Sequence, residues 1–129
     1  EVSGAYATAH ATTADREMCL VVQIETPAGV AALDDILAVE GVDAVFIGPS
    51  DLSANYGHIG NPGAPEVVEA VQSSLDKIAA SDKASGIMAL DPAAAKSYLD
   101  RGVDFVAVSI DARTLALSLR AIAADMRNR

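Results

Sequence analysis

Apolar residues concentrate in four short runs of the chain, and the stretches between these runs show helical periodicity. The runs are Met18–Glu25, Asp43–Gly48, Gly86–Leu90 and Asp104–Ile110. The pattern predicts four strands. Met18–Glu25 is a continuous apolar run, which is typical of a strand buried on both faces of a parallel sheet, and Asp43–Gly48 is predicted to be a second buried strand.

Each run is followed by a segment in which apolar side chains recur every three or four residues, which indicates an amphipathic helix. Thr26-Pro27 begins the first helix and Gly41 ends it, Pro65 begins the second, Asp91-Pro92 caps the third, and Asp111 caps the last. The predicted apolar faces are Val30, Leu33, Ile36 and Leu37 on the first helix, Val67, Val68, Val71, Leu75 and Ile78 on the second, and Leu115, Leu119, Ile122 and Met126 on the last.

The predicted order is β-α-β-α-β-α-β-α with short connections, which implies an α/β fold with a parallel sheet and right-handed crossovers. Two architectures fit this order: a small doubly wound sheet, and half of a (β/α)₈ barrel, whose full form takes roughly 250 residues. Residues 1–17 are small and polar without a clear period, so we expect an irregular N-terminal segment followed by one domain over residues 18–129.

Composition narrows the classes of partner and compartment. Asp and Glu number 18 against 9 Lys and Arg, a formal net charge of −9. Such a surface repels nucleic acid and anionic membranes, and no apolar run approaches the roughly 20 residues that span a bilayer. Cys19 is the single cysteine and lies in an apolar run, which predicts a buried, reduced thiol and a cytoplasmic protein.

Carboxylates follow two neighbouring predicted strands. The first strand ends on Glu25, and the second is followed by Asp51. Because the carboxyl ends of parallel strands meet at one edge of the sheet, these groups could share a hard divalent cation such as Mg²⁺ or Mn²⁺. The alternatives are a solvated loop residue for Glu25 and a helix N-cap for Asp51, and we interpret Asp91 and Asp111 as caps.

The segment Gly48-Pro-Ser-Asp51 suggests an anion site beside that cation. A glycine lets backbone approach a ligand closely, and the amides of Ser50 and Asp51 at a helix start suit a carboxylate. A cation next to a carboxylate pocket is what a 2-oxo acid requires.

Two competing chemistries lack their residues. A Schiff-base aldolase needs a desolvated lysine, usually at a strand end, whereas Lys77, Lys83 and Lys96 all fall on helices or in a helix–strand turn. A serine triad would need a histidine, and we interpret His10 and His58 as surface residues rather than catalysts.

The same residues resemble a known family. VVQIETPAGV (residues 21–30), VEGVDAVFIGPSDLSANYG (39–57), GNPGAPEV (60–67) and SGIMA (85–89) are similar to the C-terminal half of the HpcH/HpaI class II pyruvate aldolases, and within them to the 4-hydroxy-2-oxoheptane-1,7-dioate aldolases of aromatic acid degradation. The similarity runs from about residue 17 to the C-terminus. It implies that the chain is the C-terminal half of a (β/α)₈ TIM barrel.

The resemblance also implies a reaction and a set of ligands. The reaction is cleavage of a 4-hydroxy-2-oxo acid into pyruvate and an aldehyde, with Glu25 and Asp51 holding Mg²⁺, Mn²⁺ or Co²⁺. Backbone amides around Gly48 and Ser50 would bind the pyruvate carboxylate. The residues that would line the apolar side of the substrate pocket are Phe46, Met88 and Ile110.

The chain departs from the family pattern in its acid/base residues. In the family, the proton-transfer histidine and an arginine that polarises the keto oxygen come from the first half of the barrel, and neither His10 nor His58 matches that histidine. We therefore expect no catalytic residue in these 129 residues, which we interpret as a fragment, a truncated product or the ordered part of a longer chain.

The resemblance implies assembly as well, since the family forms homo-oligomers, commonly hexamers, and some members exchange the last helix between subunits. The expected partners are thus pyruvate or another 2-oxo acid and either a missing barrel half or further subunits. Two alternatives stay open: a CoA-ester lyase of the citryl or malyl type, and a non-catalytic half-barrel that binds metal or oxo acid.

Overall fold

The protein is described by a computed structural model that covers residues 12–14 and 16–127. The strands are β1 (Val21–Ile24), β2 (Ala44–Ile47), β3 (Ala84–Met88) and β4 (Phe105–Ala107), and the helices are α1 (Pro27–Ala31), α2 (Leu33–Leu37), α3 (Pro49–Asn55), α4 (Pro65–Ala79), α5 (Pro92–Asp100) and α6 (Asp111–Arg127). Residues 12–14 and 16–17 are helical as well, where an irregular segment was expected. Residues 1–11 of that prediction lie outside the described residues.

The strands pair in parallel in the order β1-β2-β3-β4, which confirms the predicted parallel α/β fold. One face of the sheet, here called the outer face, buries Ile24, Val45, Ile47 and Ile87 in a core shared with α2, α3 and α4. Each of these strand residues is nearly or fully inaccessible to solvent. The helices α2, α3 and α4 therefore pack on one side of the sheet only.

The opposite, inner face of the sheet carries Gln23, Phe46, Gly86 and Phe105, which are aligned with one another across the four strands. Phe46 and Phe105 stack with ring centroids 5.6 Å apart, although β3 lies between their strands. Gly86 makes this possible, because a Cβ there would lie 2.2 Å from the Phe105 ring. The two rings thus meet over the backbone of the intervening strand.

The prediction that the first strand is buried on both faces is wrong. Only Ile24 of β1 is buried, and Met18 and Leu20 before it are 73% and 52% exposed. The expected burial of Cys19 is wrong for the same reason, since it is exposed ahead of β1. In the part of the chain described, β1 is an edge strand whose inner face has no covering layer, so an apolar sequence there is not enclosed.

The first predicted helix is interrupted. Thr26 caps α1 as predicted, because its Oγ1 accepts a hydrogen bond of 3.0 Å from the Gly29 amide. Ala32 then leaves the helical conformation, so the segment continues as the separate helix α2. The turn that follows needs the predicted glycine, since Gly41 has a φ of 88°. The expected stop is therefore confirmed, but the single helix is two.

The longer helices differ in how their apolar faces are covered. In α4, Val67, Val71, Leu75 and Ile78 are buried as predicted, whereas Val68 is 41% exposed. No residue of α6 is buried, and every member of its predicted apolar face is more than half exposed. The pattern thus predicts the helix but not its burial, because the rest of the described chain does not cover the apolar face of α6. None of the helices among residues 12–14 and 16–127 has the length and apolar content needed to cross a membrane.

The same short sequence, Gly-Val-Asp, leads into β2 at residues 41–43 and into β4 at residues 102–104. In both copies the glycine has positive φ and the valine is buried. The aspartate side chain of each copy accepts a hydrogen bond of 2.7 Å from a backbone amide of the neighbouring chain segment. Asp43 accepts from the Leu20 amide, just before β1, and Asp104 accepts from the Ser85 amide in β3. One turn sequence thus fastens two strands to their neighbours.

We expect Asp104→Ala to lower the free energy of unfolding by about 1 kcal/mol, since Asp104 also accepts from the Ser85 hydroxyl at 2.8 Å and solvent screens this exposed carboxylate. Hydrogen bonds from Ser85 hold the pKa of Asp104 below its usual value. The stabilisation is therefore full above the pKa of the unfolded chain and is lost as pH falls through the lower folded pKa, below about pH 4. Urea titrations at several pH values measure both effects. Asp100→Ala, an exposed aspartate without such bonds, is the control.

We expect the isolated chain to self-associate, because the inner face and α6 leave large apolar side chains in water. Light scattering after size exclusion should give a mass that rises with concentration. Leu119→Glu should increase the monomer fraction, whereas Ser118→Glu, which adds the same charge one residue earlier on α6, should change it little. A concentration-independent monomer mass would contradict the expectation.

Candidate metal and oxo-acid site

Glu25 and Asp51 lie at the same end of the sheet, where the strands have their carboxyl ends. Glu25 directly follows β1, and Asp51 is in the first turn of α3, which begins two residues after β2 ends. The side-chain amide of Asn55 joins the two segments: its Nδ2 donates to the carbonyl oxygen of Glu25 at 3.1 Å and to that of Asp51 at 3.0 Å. The two carbonyl oxygens are therefore no more than about 6 Å apart.

The carboxylate of Glu25 is oriented by its neighbour on the same face of β1. Gln23 Nε2 donates to Glu25 Oε2 at 2.6 Å. Gly48 leaves the space that this pair occupies, because a Cβ at that position would lie 2.9 Å from Gln23 Nε2 and 3.5 Å from Glu25 Oε2. The glycine is thus needed for close approach of β1 side chains to the backbone that follows β2.

A small cavity of about 120 Å³, here called the site cavity, opens at this edge. Its lining consists of Gln23, Phe46, Gly48, Pro49, Ser50, Asp51 and Met88. The structure therefore brings together five of the residues that the sequence analysis singled out for substrate binding. The sixth, Ile110, is not part of this lining and is 46% exposed immediately before α6.

The backbone donors of the site cavity are fewer than the sequence suggested. The Gly48 amide donates to the Ile24 carbonyl at 3.0 Å, so it cannot also bind a carboxylate, and Pro49 has no N–H. The amides of Ser50 and Asp51 remain, in the first turn of a helix where amides have no intrahelical acceptor. Gly48 occupies the N-cap position of α3, so the alternative interpretation of Asp51 as a helix N-cap is wrong.

The donor set fits a hard divalent cation. Carboxylate oxygens are the ligands that Mg²⁺ and Mn²⁺ prefer, and a cation that also binds substrate keeps several positions for water and substrate oxygens. Two carboxylates at one end of the sheet would leave the other coordination positions open, whereas a complete set of protein ligands would fill them. Among residues 12–14 and 16–127, no cluster of three or more His, Cys, Asp or Glu side chains could enclose a metal ion.

The remaining candidates lie away from the site cavity. His58 is half-buried in the loop after α3, where its Nε2 contacts the Glu66 carboxylate. Lys77 pairs with Asp34 at 2.7 Å on the helical layer, and the other two lysines lie on α5 and before β3. None of the three lysines lines the site cavity. His10 lies outside the described residues.

The two predicted aspartate caps have different outcomes. Asp91 caps α5 as predicted, with its Oδ2 accepting from the Ala94 amide at 2.9 Å. Asp111 is instead the first helical residue of α6, and its Oδ1 accepts from the adjacent Ala112 amide at 2.7 Å. Neither aspartate lines the site cavity.

Two residues of the site were missed by the sequence analysis. Gln23 is two residues before Glu25, so the period of a strand places both on one face, and that spacing was an available signal. Asn55 had no such signal, because its role depends on α3 continuing as a helix to residue 55 and turning its side chain back to β1.

Comparison with known proteins gives close matches. The family model described as HpcH/HpaI aldolase/citrate lyase matches residues 2–117. The chain is 53% identical over 110 residues to a hydroxypyruvate/pyruvate aldolase of Pseudomonas aeruginosa, covering 85% of this chain and 41% of that protein. It is 49% identical over 111 residues to a 4-hydroxy-2-oxo-heptane-1,7-dioate aldolase of Escherichia coli, covering 86% and 42%.

A solved structure of an HpcH/HpaI aldolase/citrate lyase family protein from Burkholderia cenocepacia J2315 superposes with a TM-score of 0.84 at 35% identity. It covers 92% of this chain and 46% of that one. The chain thus spans less than half the length of each of these relatives.

We expect Asn55→Leu to weaken Mn²⁺ binding by roughly 10-fold, since groups that hold metal ligands in place typically contribute 10–100-fold to affinity. Free Mn²⁺ measured by electron paramagnetic resonance gives the affinity, and a thermal melt reports whether the fold persists. Asn61→Leu makes the same substitution at an exposed asparagine of the following loop and should leave affinity unchanged. Equal Mn²⁺ binding by both variants would show that Asn55 does not position the site.

Proposed function

Because the chain belongs to the HpcH/HpaI aldolase/citrate lyase family, we propose that it forms the metal-binding and oxo-acid-binding half of a metal-dependent class II aldolase. The whole protein would cleave a 4-hydroxy-2-oxo acid into pyruvate and an aldehyde. The relatives named above are aldolases, but the chain spans less than half their length, so the activity is proposed for the whole protein.

One observation carries the proposal. The segments bearing Glu25 and Asp51 are joined through the Asn55 amide at the carboxyl edge of adjacent parallel strands, beside a cavity with two backbone amides. This edge is where sites form in barrels of parallel strands. Asp51 and the helix-start amides line this cavity, and Glu25 follows the adjacent strand at the same end of the sheet, so the residues there offer ligands for a cation and for a carboxylate.

Glu25 and Asp51 would hold the divalent cation, Mg²⁺, Mn²⁺ or Co²⁺. When bound, the cation supplies positive charge against the negative charge that develops on the oxo oxygen. The amides of Ser50 and Asp51 bind the carboxylate of the oxo acid, and Gln23 fixes the orientation of the Glu25 carboxylate. Phe46 and Met88 give the cavity an apolar wall that limits water around the reacting carbons.

The cleavage step balances without any co-reactant. The bond between C3 and C4 of the substrate breaks, the C4 hydroxyl loses its proton as the aldehyde carbonyl forms, and C3 gains a proton to become the pyruvate methyl group. One proton therefore moves from the hydroxyl oxygen to C3, which requires a base at the site cavity. His58 is engaged with Glu66, so we propose that the base and a polarising arginine belong to the rest of the protein.

We expect Asp51→Asn to weaken Mn²⁺ affinity by more than about 100-fold, beyond the 10–100-fold typical of residues that only support a ligand. An amide oxygen is a poorer ligand for a hard cation than a carboxylate. Metal-dependent pyruvate binding, measured by calorimetry with and without Mn²⁺, should disappear as well. Asp125→Asn removes the same charge from exposed α6 and serves as the control; equal loss in both variants would mean that binding reflects net charge only.

The bare chain should release little pyruvate from a 4-hydroxy-2-oxo acid, since a missing general base typically costs about 10²–10⁴-fold. The assay is pyruvate formation with and without EDTA. Robust EDTA-sensitive turnover would overturn the assignment of the base to the rest of the protein, and His58→Gln would then test the one histidine among residues 12–14 and 16–127.

A further inference from the structure

The two carboxylates of the candidate site are held in different ways. Gln23 Nε2 donates to the Glu25 carboxylate, so a neighbouring side chain orients that group directly. In the part of the chain that the structure describes, the Asp51 carboxylate has no hydrogen-bond or ion-pair partner, and Asp51 is exposed. The direction of the Asp51 side chain is therefore set through its backbone.

Both peptide groups that flank Asp51 accept a hydrogen bond from a side chain of the same helix, α3. The preceding peptide joins the Ser50 carbonyl to the Asp51 amide, and its oxygen accepts from Ser53 Oγ at 2.7 Å. The oxygen of the following peptide, the Asp51 carbonyl, accepts from Asn55 Nδ2 at 3.0 Å. Since a peptide group is planar, fixing the two planes fixes φ and ψ at Asp51, and with them the direction in which its Cβ leaves the backbone.

Ser53 is itself held in place. It is fully buried, as is Leu52 before it, and its carbonyl oxygen accepts from the His58 amide at 2.7 Å. A buried hydroxyl that gave up its hydrogen bond could not replace it with one to water, and the loss would be costly. The bond from Ser53 to the Ser50 carbonyl is therefore a persistent constraint on the first turn of α3.

A second buried serine provides a comparison. Serine hydroxyls in helices commonly bond to a carbonyl of the preceding turn, and that habit alone would make Ser53 a purely structural residue. Ser74 of α4 is 1% exposed, yet among the described residues its hydroxyl has no hydrogen-bond partner. The two serines are thus matched in burial, and they differ in whether the hydroxyl acts on the backbone beside a proposed metal ligand.

We propose that Ser53 is a positioning residue for the metal site: through the Ser50 carbonyl, its hydroxyl holds the backbone of Asp51 so that the carboxylate faces the cation it shares with Glu25. This rests on the proposed function, which makes Asp51 a metal ligand. Ser53 does not line the site cavity, so it acts through Asp51 and not on the cation or the oxo acid. Removing its hydroxyl should lower metal affinity without removing any ligand.

The test is the affinity for Mn²⁺, measured as free Mn²⁺ by electron paramagnetic resonance, with a thermal melt of each variant. Ser53→Ala removes the hydroxyl and keeps a good helix former, and it should weaken Mn²⁺ binding by roughly 10-fold, the lower end of what groups that hold metal ligands contribute. Ser53→Cys keeps a weak donor of similar shape and should give an intermediate affinity. Ser74→Ala deletes a buried hydroxyl that has no partner within the described chain, so affinity should be unchanged.

The outcomes separate this proposal from the proposed function. Weaker Mn²⁺ binding by Ser53→Ala, with Ser53→Cys intermediate and Ser74→Ala unchanged, supports the positioning role. Unchanged binding by Ser53→Ala, or equal losses in Ser53→Ala and Ser74→Ala, would overturn it while Asp51→Asn still weakens binding. If Asp51→Asn also binds Mn²⁺ normally, the proposed function fails, because Asp51 is then not a ligand. Should Ser53→Ala not fold, a folded Ser53→Cys with the affinity of the unmodified chain would overturn the positioning role.

Discussion

In the order β1-β2-β3-β4, each strand forms its hydrogen bonds with its neighbour in sequence and runs in the same direction. Every connection must therefore return the chain from the carboxyl end of one strand to the amino end of the next. This constraint places all carboxyl ends together, and with them Glu25 and the start of α3. The buried core lies on the outer face only, where Ile24, Ile47 and Ile87 pack against the helices.

The candidate site lies at the carboxyl ends of the strands, and hydrogen bonds from neighbouring amide side chains hold its segments in place. Asn55 is the last residue of α3, yet its amide donates to the carbonyl group of Glu25 after β1 and to that of Asp51 in the first turn of α3. Gln23 performs a related function for the Glu25 carboxylate, and Gly48 leaves room for both. Two acidic residues that follow adjacent strands are thus held by uncharged amide groups, which add no competing charge at a site proposed for a cation.

Local features were predictable from the sequence because they depend on a few adjacent residues. Thr26 and Asp91 form the predicted caps, and Gly41 has the positive φ that the end of a helical segment requires. The parallel order followed from the alternation of apolar runs and helical segments. Residue types at strand ends were likewise sufficient to select Glu25 and Asp51 as candidates for one site.

Burial was less predictable, because it depends on neighbours that a local pattern does not specify. Cys19 and Leu119 belong to apolar patterns as clear as that of Ile78, yet only Ile78 is enclosed. The break at Ala32 and the helical return of Asn55 also follow from how segments fit against the sheet rather than from their composition. The apolar pattern identifies surfaces that can be covered, and the fold determines which of them the described chain covers.

The contact of Phe46 and Phe105 over Gly86 supports one wall of the site from behind. Phe46 lines the site cavity, and its ring stacks on Phe105, which does not line the cavity. The rings can meet because β3 presents no side chain between them, since a Cβ at position 86 would lie 2.2 Å from the Phe105 ring. A larger residue at position 86 would therefore displace Phe105 and remove the support of Phe46, without replacing any residue that lines the site cavity.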